Sequence, residues 1–342
     1  MLQHKRTAKM ELRSEDWLSS VQEKIIEPDR RIIDSHHHLW RTGLVYQVED
    51  LWRDTESGHN IEKTVFVDCC AEYRTDGPEH LMCLGETEFV VEQAKLSEAG
   101  RNGEAVIAAI VSRANLALGD PVAEILDQHI ELGQGRFRGI RLPAARDPNP
   151  DTLMFSPQAQ EGLYSSPSFR RGMKALGDRG LSFDAWHFHH QNQDFLAMAH
   201  AVPATQIVLD HFGSPLGVGS YADKREEIFE QWKKDIEEIS RCDNVVAKLG
   251  GLSMPDSGFG WDKRETAPSS DEFVNAQRRY FLHTIECFGP DRCMFQSNFP
   301  VDKLSIAYPV LYNGMKKIVA DFSEDEKDMM FYGTAARIYG ID

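Results

Sequence analysis

The sequence predicts an α/β protein of one domain, a (β/α)8 barrel with long loops after its fourth and seventh strands. Eight short apolar runs alternate with helical stretches along the 342 residues, the pattern of a parallel sheet closed on itself. No composition break, internal repeat or low-complexity segment divides the chain. Nothing like G-x-G-x-x-G follows the first run, which weakens the structural alternative, a doubly wound open sheet.

Residues 1–30 are charged and read as an extension packed on the outside of the barrel, with a short helix from Ser14 to Ile26 closed by Pro28. The barrel then occupies residues 31–342. Arg31-Ile-Ile33 opens the first strand, and Lys63–Asp68 is the second, followed by a helix over Glu86–Glu98. Ala105–Val111 is the third strand, and Pro121 starts the next helix, to Leu132. Phe137–Leu142 is the fourth, and a Pro- and Asp-rich loop runs from Pro143 to Pro167 before a helix at Phe169–Arg179. Leu181–Trp186, Gln206–His211, Asn244–Leu249 and Cys293–Ser297 supply the remaining strands. Between them lie helices at Gln193–Ala201, Lys224–Ser240 and Asp271–Phe288, the last preceded by the loop Gly250–Ser270. Ser323-Glu-Asp-Glu326 is a capping box for a late helix.

Composition narrows the function. Hydrophobic residues are 41% and charged residues 27%, ordinary for a globular protein. A formal net charge of −16 argues against a nucleic-acid surface, and any anionic substrate then needs a local basic pocket. No C-x-x-C occurs among the six cysteines, so they read as reduced thiols of a cytoplasmic protein. No stretch is apolar enough to span a membrane. The expected partner is a small anionic molecule, with neither nucleic acid nor membrane, and the sequence leaves room for a homo-oligomer.

In a barrel of this kind the site collects at the C-terminal ends of the strands. Read in turn, those ends carry His36 and His38, Arg113, Arg141, then His187, His189 and His190, then Asp210-His211, Lys248, and Asn298 with Asp302 beyond. Side chains alternate along a strand, so His36 and His38 share a face and His37 takes the other. Two imidazoles converging from one strand end can hold a divalent metal, or an acidic or carbonyl substrate.

The runs Asp34-Ser-His36-His-His38-Leu-Trp40, Phe137-Arg-Gly-Ile-Arg141, Ile207-Val-Leu-Asp-His211-Phe-Gly213, Asn244-Val-Val-Ala-Lys248-Leu-Gly-Gly-Leu252 and Cys293-Met-Phe-Gln-Ser-Asn298-Phe-Pro300 resemble the amidohydrolase superfamily. Within it they are similar to the branch of fuconolactonase-like and pyrone-dicarboxylate-lactonase-like hydrolases. The resemblance spans roughly residues 31 to 340. It implies a (β/α)8 fold and hydrolysis of a carbonyl ester, commonly a lactone. It makes His36 and His38 the strand-one ligand pair and His211 the strand-six histidine, and it places His189 nearest the strand-five position. The implied cofactor is a divalent metal, most readily Zn2+, although some lactonases of this branch are thought to work without one.

One departure stands out. The superfamily ends strand eight with Ser-Asp-x-Pro, where the carboxylate ligates metal and acts as base, and this chain has Ser297-Asn298-Phe-Pro300. An amide cannot take up the water proton, so the base is Asp302, or a histidine, or the chain is catalytically impaired. On this scheme Lys248, an imidazolium or the metal stabilises the oxyanion. Arg141, with Arg113 or Arg74, clamps a substrate carboxylate, unless Arg141 and Lys248 form rim ion pairs with Asp34, Asp68 or Asp210. Trp261 and Phe259 would wall the pocket from the loop after strand seven, unless they simply pack there. Three functions follow: a lactone hydrolase of a small acidic metabolite, a metal-dependent decarboxylase or hydratase of an aromatic or unsaturated acid, and a non-catalytic ligand-binding barrel.

Overall fold

The apolar runs become eight strands in the computed structural model, which describes residues 12–101 and 103–342. They are β1 (Arg31–His37), β2 (Asn60–Val67), β3 (Val106–Ser112), β4 (Phe137–Arg141), β5 (Ser182–Ala185), β6 (Ile207–Leu209), β7 (Val245–Leu249) and β8 (Cys293–Phe295). They pair in chain order, each neighbouring pair parallel. The ring closes just beyond β8, where Asn298 N donates to His36 O (2.9 Å) and His38 N to Phe299 O (2.8 Å). Parallel neighbours need crossovers. Each crossover carries a helix: α2 (Val48–Thr55), α3 (Leu84–Glu98), α4 (Val122–Leu132), α5 (Pro167–Gly177), α6 (Asn192–Ala201), α7 (Arg225–Ile239) and α8 (Ser270–Phe288). α9 (Tyr308–Ile318), α10 (Glu324–Asp328) and α11 (Thr334–Tyr339) follow β8. At α10 the capping box is formed, Ser323 Oγ accepting from Glu326 N.

Inside the ring, Ile33, Val65, Val67, Val111, Val208 and Met294 pack in one cluster with Tyr339 and Ile341 of the C-terminal segment, which plugs one end. Mixed with these is a polar pair that an apolar interior tolerates only when satisfied. Lys248 Nζ meets Asp184 Oδ2 at 2.6 Å, and Tyr339 Oη donates to the same oxygen at 2.7 Å.

The extension differs from the expected helix. Its helix, α1, covers only Glu15–Leu18, and residues 1–11 of the extension lie outside the described residues. Between Ser20 and Arg30 the chain is not helical, and much of its hydrogen bonding goes sideways to the barrel. Ile26 N donates to Asn313 Oδ1 (2.9 Å), and Lys316 Nζ donates to the carbonyls of Ile26 (3.0 Å) and Glu27 (2.8 Å). The Glu23 carboxylate accepts from Ser270 at the start of α8. Tertiary hydrogen-bond partners therefore outcompete helix propensity here.

The two long loops are tied to each other. Asp256, after β7, accepts hydrogen bonds from Met154 N (2.7 Å) and Phe155 N (2.8 Å) in the loop after β4. That clamp brings Phe155 and Met254 over the open end of the barrel. Among the described residues no helix is long and apolar enough to cross a membrane.

Candidate active site

Alternation along β1 sends His36 and His38 inward, and His37 outward against Phe66, at a ring separation of 6.0 Å. Asp34 fixes this strand end. Its Oδ1 accepts from Ser297 N (2.8 Å) and its Oδ2 from Tyr308 Oη (3.0 Å), which stitches β1 to the chain leaving β8. The His36 and His38 Nε2 atoms then stand 3.3 Å apart. His38 Nδ1 donates to the Val67 carbonyl at 2.8 Å. A carbonyl can only accept, so the His38 Nε2 presents a lone pair. Asn298 Oδ1, another acceptor, lies 3.3 Å from it.

Asn298 is held in the left-handed region (φ 57°), as is His211 (φ 53°), conformations that non-glycine residues adopt rarely and that cluster at functional sites. The Asn298 amide is oriented by Asp302, whose Oδ1 accepts from Nδ2 at 2.8 Å while its Oδ2 accepts from Ser253 N at 3.1 Å. Burial lifts the Asp302 carboxyl to about 8, with both hydrogen bonds opposing the rise. The His211 ring lies 4.7 Å from that of His36, centre to centre, and its Nδ1 takes a hydrogen bond from Gln296 Nε2 at 2.7 Å. Gly251 (φ +80°) lets the backbone pass that ring, since a Cβ there would come within 2.0 Å of Nδ1. Burial pushes His211 down to about 3, with nearby Arg141 and Lys248 pushing the same way against Asp210. It likewise pushes His36 and His38 well below the usual imidazole range, so all three rings are neutral at pH 7.

Arg141 Nη1 reaches within 3.4 Å of His36 Nε2, and its Nη2 donates to the Asp68 carbonyl. Asp68 Oδ2 is 3.6 Å from its Nε, and Asp210 Oδ2 is 4.0 Å from Nη1. Lys248 sits on the other side of His36, 3.2 Å from Nδ1, fully buried between Asp184 and Asp210 (3.3 Å). Both oxygens of Asp210 are buried and make no hydrogen bond among the described residues.

Above these groups opens a cavity of about 550 Å3 including its mouth. His38, Arg141, His211 and Asn298 are its polar lining. Trp40, Phe155, Trp186, Met254 and Val301 form its wall, with Cys69 between.

Several expected residues lie elsewhere. His189 does not join His36 and His38: it follows β5 on the outer side, its Nδ1 accepting from Leu216 N (3.3 Å) and its ring packed on Tyr221. Arg74 is engaged with Glu88 on the surface. Arg113 faces a separate surface hollow beside His80 and Asn115, held by Cys70 Sγ (3.0 Å) and Asp68 Oδ2 (3.7 Å). Trp261 stacks on Phe259 and packs against Phe273 on α8, away from the cavity. Asp302 is behind Asn298 rather than in the lining, and Lys248 is sealed from the cavity by its ion pairs. For His189, Arg113, Asp302 and Lys248 the reason is shared: burial first satisfies charge and hydrogen bonds locally. Reading strand ends missed Gln296, Asp184, Trp186 and Phe155. For the first two a signal existed, a polar residue at an inward position of an apolar run; Trp186 closes the run read as the fifth strand and lies just past β5, whereas Phe155, a loop aromatic, carried no signal.

The donor set admits a divalent ion. Two ligands about 2.0–2.1 Å from a tetrahedral ion lie about 3.3 Å apart, the spacing observed between His36 Nε2 and His38 Nε2 and again between His38 Nε2 and Asn298 Oδ1. The lone pairs of His38 and Asn298 converge without a hydrogen between them, as they would around a cation. His36, Asp210 and His211 form a further grouping, with one ligand atom of each within 4.8 Å of the others.

Comparison with known proteins agrees with this architecture. A family model described as "Amidohydrolase" matches residues 33–341. The chain is 29% identical over 337 residues to an uncharacterised protein of Sinorhizobium fredii, covering 92% of this chain and 99% of the relative. It is 26% identical to an L-fucono-1,5-lactonase of Burkholderia multivorans, covering 90% of this chain and 96% of the relative. A solved amidohydrolase from Burkholderia multivorans with bound Zn superposes with a TM-score of 0.71 at 21% identity, covering 91% of this chain and 99% of that one.

Proposed function

From the premise that this chain belongs to the amidohydrolase family, we propose that it is a lactonase, opening a cyclic ester of a small acidic metabolite by attack of water at the cavity mouth. The observation that carries the reading is the convergence of His36 Nε2, His38 Nε2 and Asn298 Oδ1 beneath a cavity lined by one arginine, Arg141. The lactonase named among the relatives supports the reaction class.

His36, His38 and the Asn298 carbonyl are the residues that would hold a zinc-like ion, with Asp210 as a nearby charge. Such an ion supplies Lewis-acid polarisation of the carbonyl and a more acidic water. The chain's own groups do the rest. Arg141 takes the substrate carboxylate and orients the ring. The Gln296 amide donates to His211 Nδ1, which leaves the ring hydrogen on Nε2. His211 thus offers a hydrogen bond, not a proton, to the carbonyl oxygen or to the departing ring oxygen, since its low proton affinity makes it a poor base. The proton of the attacking water ends on the departing ring oxygen, which leaves as the hydroxyl of the opened acid. Asp302 keeps the Asn298 carbonyl turned to His38. Lys248, paired with Asp184 and Asp210, fixes the field around His36 from behind and does not touch the substrate.

Acid release measured by pH-stat over acidic lactones and their methyl esters tests the proposal. A kcat/KM for the free acid well above that of its ester is expected. Carbon dioxide released from an aromatic acid, with no lactone opened, would replace this reading by decarboxylation. Thermal stabilisation by a lactone that is never turned over would leave a binding barrel.

A further inference from the structure

Glu86 stands in the first turn of α3 with its side chain fully buried. Its Oε1 accepts two backbone hydrogen bonds from the turn that follows β2, from Cys69 N at 3.0 Å and Ala71 N at 2.9 Å. Cys70 between them lies in the left-handed region (φ 60°), which turns the two flanking N–H groups to one side. The turn is pressed onto the helix: a Cβ at Gly85 would come within 2.4 Å of Glu72 O and 2.5 Å of Arg74 N. Glu86 Oε2 is buried too and meets no donor among the described residues, and Asp68 lies within hydrogen-bonding reach of the carboxyl. Burial, and after it the Asp68 charge, pushes Glu86 well above the usual carboxylate range, against the two backbone hydrogen bonds. Glu86 is therefore a neutral acid at pH 7, with its one proton between the two carboxyls. The charge of the pair faces guanidinium groups: Asp68 Oδ2 is 3.6 Å from Arg141 Nε and 3.7 Å from Arg113 Nη1, and the Asp68 carbonyl accepts from Arg141 Nη2. An apolar side chain in place of Glu86 would strand two buried N–H groups, and an ionised one would set two like charges together. A neutral acid avoids both.

We propose that Glu86 is a positioning residue for Arg141: it fastens the turn after β2 to α3 and donates a hydrogen bond to Asp68, so that Asp68 holds the guanidinium at the cavity. This rests on the reading of Arg141 as the clamp for a substrate carboxylate. Glu86 is absent from the cavity lining and acts only through Asp68 and the turn. With that support gone, Asp68 is free to shift and takes Arg141 with it, and the loss falls on a substrate that needs the guanidinium.

Glu86→Gln keeps an acceptor for both N–H groups and a donor for Asp68, whereas Glu86→Leu removes all of them. Glu86→Asp is too short to serve both sides, and it takes the place of Glu86→Leu if that protein does not fold. Turnover of muconolactone, an acidic lactone, is compared with that of its methyl ester. Glu86→Leu should raise KM for the acid about tenfold, and Glu86→Asp about threefold, with kcat little changed and the ester moving less than about twofold. Glu86→Gln should recover most of that loss. Two further readouts do not depend on turnover. The Arg141 Nε–H signal, observed by NMR in arginine-labelled protein and assigned with Arg141→Met, should shift in Glu86→Leu and Glu86→Asp and return in Glu86→Gln. The carbonyl stretch of a protonated carboxyl should be present in the infrared spectrum of the wild type at pH 7 and missing from that of Glu86→Gln. An Arg141 signal that no Glu86 variant moves overturns the proposal even where the melting temperature falls, since Glu86 then only stabilises the turn. Absence of the infrared band overturns it as well, because an ionised Glu86 has no hydrogen to give Asp68. If the Arg141 signal and the band behave as expected, the positioning role stands. Equal losses on acid and ester would then remove the carboxylate clamp, and failure to open either would remove the lactonase reading.

Discussion

At Asn298 one amide stands where the superfamily's Ser-Asp-x-Pro pattern has a carboxylate. Its Nδ2 is committed to Asp302 and its Oδ1 faces His38. Asn298→Asp adds an anionic ligand, and retention of zinc through chelator dialysis should rise at least about tenfold by elemental analysis. The same change sets two carboxyls 2.8 Å apart, one of which must stay protonated. The metal-free variant should therefore lose about 1–3 kcal/mol, recovered on adding zinc. Arg141→Met should lower kcat/KM for an acidic lactone about a hundredfold, the 2–3 kcal/mol of a charge-assisted pair, and leave the methyl ester little affected. Equal losses on acid and ester would mark Arg141 as a support for Asp68 and His36 instead. His37 is the converse case: both ring nitrogens are buried without a partner among the described residues, and burial holds it near 3. His37→Leu should raise stability by about 1 kcal/mol in denaturant titration, with kcat unchanged.

Among the elements, α9 does most to anchor the extension. Lys316 Nζ donates to the Ile26 and Glu27 carbonyls and to His59 Nδ1 at 2.9 Å, while His59 Nε2 donates to the Pro309 carbonyl at 3.1 Å. This arrangement needs His59 neutral. Burial, aided by Lys316, lowers it from 6.5 to about 4. A lowered base contributes stability that is complete above its unfolded value and is lost as pH falls through the folded one. The window is thus pH 6.5 down to about 4, worth on the order of 3 kcal/mol. Limited proteolysis of residues 12–30 should accelerate across that window. His59→Gln, which can still accept from Lys316 and cannot titrate, should flatten this part of the profile. Unchanged acid sensitivity in that variant would assign the effect to other groups.

Across the whole molecule the net charge of −16 opposes the approach of the anionic substrate proposed for Arg141. The long-range part is screened by salt, whereas the buried contact is screened little. For an acidic lactone, kcat/KM should rise several-fold between 10 and 150 mM salt, and for its ester it should stay level. A falling profile for the acid would mean that a local positive field dominates its capture.

The barrel and the ends of its strands could be read from the sequence because both follow from local periodicity. Apolar runs such as Ala105–Val111 and Asn244–Leu249 declare themselves residue by residue, and alternation alone puts His36 and His38 on one face. Which strand-end charges remain available to a ligand is decided by distance between segments remote in sequence. Arg113 and Arg141 look alike on the page, yet Cys70 and Asp68 hold Arg113 beside a separate hollow while Arg141 reaches His36. Asp302 turns its carboxylate to Asn298 and Ser253, and His189 faces Tyr221. The cavity wall needed the tertiary structure most. Phe155 and Met254 belong to loops without periodicity, and it is the Asp256 clamp between those loops that carries them over the site. Local pattern sets the elements. The packing of loops, and the order in which buried charges find partners, sets which side chains meet the substrate.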